Sequence, residues 1–221
     1  MQKFDTPAAV SAVLDVPAGR IQVIAADRAD TTVDVRPADA SKSRDVKAAE
    51  QTQVEFGDGV LRITAPAGKT FGPSGSIEVT VQVPSGSHLE AKTAAAEFRV
   101  VGRLGDVAFD GAHGPVKIDE AAGIRLAAHA ADITVGRLTG SADISTQKGD
   151  ITISEATSGT VELRTQLGDL TIVAAPGVSA TLDAGTSNGR VHNALKNTEG
   201  AAAALTIRAT TTSGDITARS L

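Results

Sequence analysis

The chain has 221 residues, a formal net charge of −5 and an aromatic content of 2%, with no Trp, Tyr or Cys. Its acidic balance and scattered basic residues remove the electrostatic footprint of a nucleic-acid or anionic-membrane binder, and the absence of cysteine excludes disulfides, thiolate nucleophiles and cysteine metal sites. With so few rings the interior must be built from thin layers of Ala, Val, Ile and Leu, which suits a narrow stack of strands and argues against an aromatic platform for sugars or bases.

The first 15 residues contain one lysine and no apolar run of seven, unlike a secretory leader. No stretch approaches the roughly 20 apolar residues of a membrane span. The expected location is cytoplasmic, with the cell surface by another route as the alternative. Residues 10–92 then alternate apolar and polar positions in runs at 13–16, 21–25, 32–36, 53–56, 60–64 and 77–83, the period of half-buried strands. Pro17-Ala18-Gly19, Gly57-Asp58-Gly59 and Pro84-Ser85-Gly86 separate them, and Gly57-Asp58-Gly59 is a strong hairpin signal. The stretch 41–51 lacks this alternation and predicts a short helix near 43–51, with Ser41 or Ser43 as N-cap ahead of Val46, Ala48 and Ala49. Residues 69–76, with Gly72-Pro73 and Gly75, predict a loop.

From about Gly102 the chain becomes a count. Gly149-Asp150-Ile151-Thr152-Ile153, Gly168-Asp169-Leu170-Thr171-Ile172 and Gly214-Asp215-Ile216-Thr217-Ala218 repeat one phrase, and turn positions recur about every nine residues from Asp106 to Val178. Asp132, Asp150 and Asp169 fall at every second step. A step of nine is one short strand and a turn, so the prediction is an all-β, parallel β-solenoid with about two strands and 18–20 residues per coil. Residues 93–221 would form the solenoid, and residues 1–92 a strand-rich N-terminal cap carrying the one short helix. Inward positions would be Ile133, Val135, Ile144, Ile151, Ile153, Val161, Leu163, Leu170, Ile172 and Leu182. Later the count loosens: Arg190 takes the slot after Asp169, and an insertion at 194–204 delays Asp215.

The column Asp132, Asp150 and Asp169 could share a hard cation, but the denser glycine pattern of calcium-binding nonapeptides is absent. Carboxylates about 5 Å apart in water repel by roughly 0.8 kcal/mol, while an aspartate bonded to its own turn amide gains roughly 1 kcal/mol. Turn chemistry alone therefore sustains the column. Thr134, Thr152, Thr171 and Thr217 each lie between two inward aliphatics and should point outward together, with His192 between Thr171 and Thr217. They form, with Asn197 in the insertion, the candidate interaction surface. The opposite face should carry Arg125, Asp143, Glu162, Arg164 and Asp183. His88, His113, His129 and His192 show no metal spacing, no nucleophile or nucleotide motif is present, and Asp119 and Glu120 point to opposite sides of a strand. No catalytic residue, cofactor or metal is expected.

The glycine-aspartate phrase, the turn Thr146-Gln147-Lys148-Gly149-Asp150-Ile151, the closing Ser213-Gly214-Asp215-Ile216-Thr217 and the opening Leu14-Asp15-Val16-Pro17-Ala18-Gly19 resemble the bacterial β-strand-repeat family labelled putative adhesins. Alanine richness is similar to its actinobacterial branch. The resemblance implies a β-solenoid of undefined role. The expected function is a non-enzymatic scaffold for an unknown protein partner. An adhesin or carbohydrate-binding surface protein is the second reading, and a polysaccharide-active enzyme the third.

Overall fold

The computed structural model describes residues 1–66 and 75–221; most of the loop expected at 69–76 lies outside them. The described residues are all-β with one α-helix, and the chain divides into two compact units, Met1–Pro115 and Val116–Leu221.

The first unit holds β1 (Gln2–Asp5), β2 (Ser11–Asp15), β3 (Ala18–Ala26), β4 (Asp30–Pro37), α1 (Ser43–Gln51), β5 (Gln53–Gly57), β6 (Val60–Thr64), β7 (Ile77–Pro84) and β8 (His88–His113). Alternation sets burial: in β7, Ile77, Val79, Val81 and Val83 are buried while Glu78, Thr80 and Gln82 are half-buried. One stack runs β1, β4, β7, β3, β8, antiparallel as far as β7 and parallel thereafter. The other runs β5, β6, β2, β8, with only its first pair antiparallel. The hairpin turn between Gly57 and Val60 has positive φ at both Asp58 (51°) and Gly59 (75°), the type I′ geometry that matches strand twist.

The helix forms where expected, but its N-cap is Lys42, without a side-chain cap. Ser41 is taken instead by Asp39, whose Oδ1 accepts both its amide and its hydroxyl. Asp45 in the first turn is buried and accepts the Ser76 amide at 3.0 Å.

The second unit holds β9 (Val116–Ala130), β10 (Ile133–Leu138), β11 (Ala142–Ser145), β12 (Ile151–Ala156), β13 (Gly159–Leu167), β14 (Leu170–Ala174), β15 (Ala180–Asn188), β16 (Val191–Ala194), β17 (Leu205–Ser213) and β18 (Ile216–Ser220). Its strand pairs are parallel. One stack runs β9, β10, β12, β14, β18, β16. The other runs β9, β11, β13, β17, β15. Equivalent apolar residues lie in register, as in Ile133, Ile151, Leu170 and Ile216, and all four are at most 1% exposed. The repeat is β-solenoid-like.

Coil order departs from chain order. The last coil, β17–β18, lies between β13–β14 and β15–β16, and in the first unit β2–β3 likewise lies between β6–β7 and β8. Arg190 therefore does not follow Asp169; Asp215 does. Apolar content accounts for the exchange. The β17–β18 coil buries Leu205, Ile207, Ala209, Ile216 and Ala218, whereas in the displaced coil Leu182 is only half-buried and all of β16 is exposed. The coil with more surface to remove from water takes the inner place.

Candidate binding face

The repeated phrase builds one corner of the second unit. Gly149 (φ 130°), Gly168 (φ 152°) and Gly214 (φ 146°) turn the chain, and a Cβ on each would stand about 2 Å from the carbonyl oxygen of Ala131, Gly149 and Gly168 respectively. Two requirements therefore converge on glycine: the backbone region, and the closeness of the next coil.

Each aspartate reaches the neighbouring coil and not its own turn, which corrects the bonding expected from sequence. Asp132 Oδ1 accepts the Asp150 amide at 3.1 Å, Asp150 the Asp169 amide at 2.8 Å, Asp169 the Asp215 amide at 2.7 Å, and Asp215 the Arg190 amide at 2.8 Å. Stacking places each carboxylate against the next coil's N–H, so the column is a hydrogen-bond ladder. Among the described residues no group of three or more His, Cys, Asp or Glu is placed to hold a metal ion.

A second ladder runs through the same corner. The hydroxyls of Thr165, Thr211 and Thr186 donate to the carbonyls of Gly149, Gly168 and Gly214 at 3.0–3.2 Å. Thr165 and Thr211 are buried. The sequence signal is a threonine three residues before the turn glycine, in Thr165-x-x-Gly168, Thr186-x-x-Gly189 and Thr211-x-x-Gly214; Thr146-x-x-Gly149 shares it, but the Thr146 hydroxyl donates to the Lys148 carbonyl at 3.1 Å. Thr165 and Thr211 continue the inward parity of Val161 and Leu163 and of Ile207 and Ala209, positions that alternation of apolar residues alone does not mark as polar.

The outward threonines do share a face. Register gives the order Lys117, Thr134, Thr152, Thr171, Thr217, His192, so Thr217 separates Thr171 from His192, the reverse of the expected order. Lys117, Thr134 and His192 are exposed, and Thr152, Thr171 and Thr217 are half-buried. Among the described residues none of these four threonine hydroxyls has a partner within the chain. The aspartates lie two residues earlier, in the turn just before each strand, so their column runs along the corner beside the threonine column. Asn197 is drawn into local structure, accepting from the Ser179 hydroxyl and the Glu199 and Gly200 amides.

The other stack presents Arg125, Asp143, Glu162, Arg208 and Asp183 in register order. Arg164 bridges Asp143 at 2.9 Å and also pairs with Glu162. That face is a mixed-sign lattice, and exposed pairs of this kind contribute little stability.

Residues 10–220 match the family model described as Toastrack DUF4097. The chain belongs to the Toastrack family. No curated protein matches it. Among solved structures, a putative adhesin from Parabacteroides distasonis is similar at 14% identity and a TM-score of 0.51, over 98% of this chain and 95% of that one. A putative cell adhesion protein from Clostridium sporogenes is similar at 12% identity and a TM-score of 0.44, over 100% of this chain and 98% of that one. The first likeness is one of fold. No helix among the described residues of this Toastrack chain is long and apolar enough to cross a membrane.

Proposed function

We propose that this Toastrack protein is a non-enzymatic scaffold, a parallel β-solenoid of two-strand coils that presents its outward threonine ladder to a protein partner in the cytoplasm. One contrast supports the reading. The corner threonines Thr165, Thr186 and Thr211 spend their hydroxyls on the fold, while among the described residues Thr134, Thr152, Thr171 and Thr217 leave theirs unpaired. Hydroxyls held in register at strand spacing suit a partner with a regular surface.

The test is affinity capture from the native organism with wild type, with Thr206→Lys on the opposite stack, and with Thr152→Lys combined with Thr171→Lys. Wild type and Thr206→Lys should retain the same protein. The double variant should lose it with an unchanged circular dichroism spectrum. Capture that survives the double variant would contradict the assignment of this face.

A second reading, a surface adhesin or carbohydrate binder, is favoured by the adjacency of the threonine and aspartate columns, which together offer donors and acceptors for sugar hydroxyls. Fractionation of native cells separates the two. Protein confined to the cell wall or medium would exclude the cytoplasmic scaffold.

A further inference from the structure

The second unit ends in a coil whose core layer is unfinished. Among the described residues β15 has a strand partner only in β17, and β16 only in β18. In β15 the inward-facing Leu182 and Ala184 are half-buried, whereas their register partners Ile207 and Ala209 are 0% and 1% exposed. Val191 is 46% exposed beside Ile216, which is fully buried. The segment around Lys196 covers only the start of β15, through the Ala180 amide to the Lys196 carbonyl at 3.1 Å.

Edge strands that stay unpaired usually carry lysine, proline, a bulge or an inward charge. β15, Ala-Thr-Leu-Asp-Ala-Gly-Thr-Ser-Asn, has none of the first two, its register to β17 is unshifted from Ala180 to Thr186, and its one charge, Asp183, is on the outer face. The first unit handles its edges differently: its outermost strands β1 and β5 are antiparallel additions bearing Lys3 and Glu55, and α1 packs on β4 and β7.

We propose that β15 pairs antiparallel with β15 of a second copy of this chain, centred on Ala184, to form a two-fold dimer. Charge selects that occupant. Pairing about Ala184 keeps inward residues inward and sets Leu182 against Thr186 of the second copy and Ala184 against its own equivalent. Each Asp183 then faces Gly185 of the other copy, so no like charges are directly opposed, and each keeps its own Arg208 as register neighbour. The arrangement is isologous, closes after two copies and pairs the β15 edge of each copy.

Gly185 supplies the test. A Cβ there meets nothing within 4 Å, so side chains can be added without disturbing the single chain. By sedimentation at micromolar concentrations, wild type should have twice the 22.3 kDa chain mass. Gly185→Asp, which opposes two carboxylates, should run as one chain with an unchanged circular dichroism spectrum. Gly185→Lys, which opposes lysine and Asp183, should remain paired. Concentration-dependent protection of the 182–187 amides from hydrogen exchange should accompany pairing. A monomeric wild type, or a dimer indifferent to Gly185→Asp, overturns the proposal.

Discussion

The Asp169 carboxylate accepts the backbone N–H of Asp215 at 2.7 Å, across 46 residues of sequence. This contact exists because β17–β18 is inserted between β13–β14 and β15–β16. Replacing Asp169 by Ala should lower unfolding free energy by about 1 kcal/mol, because the amide it serves is near solvent and regains water. Asp169→Asn keeps an acceptor oxygen and should cost less than half of that. Urea unfolding of the two variants measures the difference.

Glycine at the corner faces a harder limit. Gly168→Ala places a Cβ 2.1 Å from the Gly149 oxygen at φ 152° and should destabilise by about 3 kcal/mol or more. Gly177 also has positive φ (77°) but open space around it, so Gly177→Ala should cost only about 1 kcal/mol. Equal losses in thermal unfolding would mean that strain in φ, and not the neighbouring coil, dictates the residue.

The two classes of threonine should separate in stability measurements. Thr165→Val removes the donor to the Gly149 carbonyl and should cost about 1 kcal/mol. Thr152→Val loses no side-chain hydrogen bond among the described residues and should stay within about 0.5 kcal/mol of wild type. Both are mild beside Ile151→Asp, which buries a charge at a fully buried site and should abolish soluble folding.

Acid should loosen the first unit. Hydrogen bonds from Arg28 and then Lys3 hold the Asp30 carboxyl at about 2, below its ordinary 3.8, and the Ser41 hydroxyl and amide with Lys42 hold Asp39 at about 2. A folded-state pKa below the unfolded one means that the unfolded chain binds more protons between these values. The stabilisation is then complete above pH 4 and is lost as pH falls towards 2. Denaturant midpoints measured across that window should fall with pH, and Asp30→Asn should flatten the slope.

Much of this was legible in the sequence. Alternation located β2 to β7 to within a few residues, the helix fell at Ser43–Gln51, and all but one of the predicted inward residues of the second unit are buried. Coil order was not legible, for a physical reason. Gly-Asp-aliphatic-Thr-aliphatic fixes which side chains of a coil point inward, but every coil offers the same columns to its neighbours, so one stacking order satisfies the pattern as well as another. The exception, Leu182, was misjudged for that reason: its strand pattern is right, but its coil is outermost. Two local features point to the exchange: the 180–194 coil is poorer in large aliphatics than the 205–218 coil, and the insertion at 194–204 gives the chain the length to double back. The strand β1 was not legible because Gln2–Asp5 carries one apolar residue, Phe4, so there is no alternation to read.

The order of residues on the threonine face follows directly from that stacking, and with no native cysteine it can be read by disulfide trapping. Register makes Thr217 the neighbour of both Thr171 and His192. Adjacent strands lie about 5 Å apart, within disulfide reach, while a separation of two strands, about 10 Å, is beyond it. Mild oxidation should therefore close the pair Thr171→Cys with Thr217→Cys and leave Thr171→Cys with His192→Cys reduced. Closure of the second pair in preference to the first would contradict the intercalated coil and with it the surface described above.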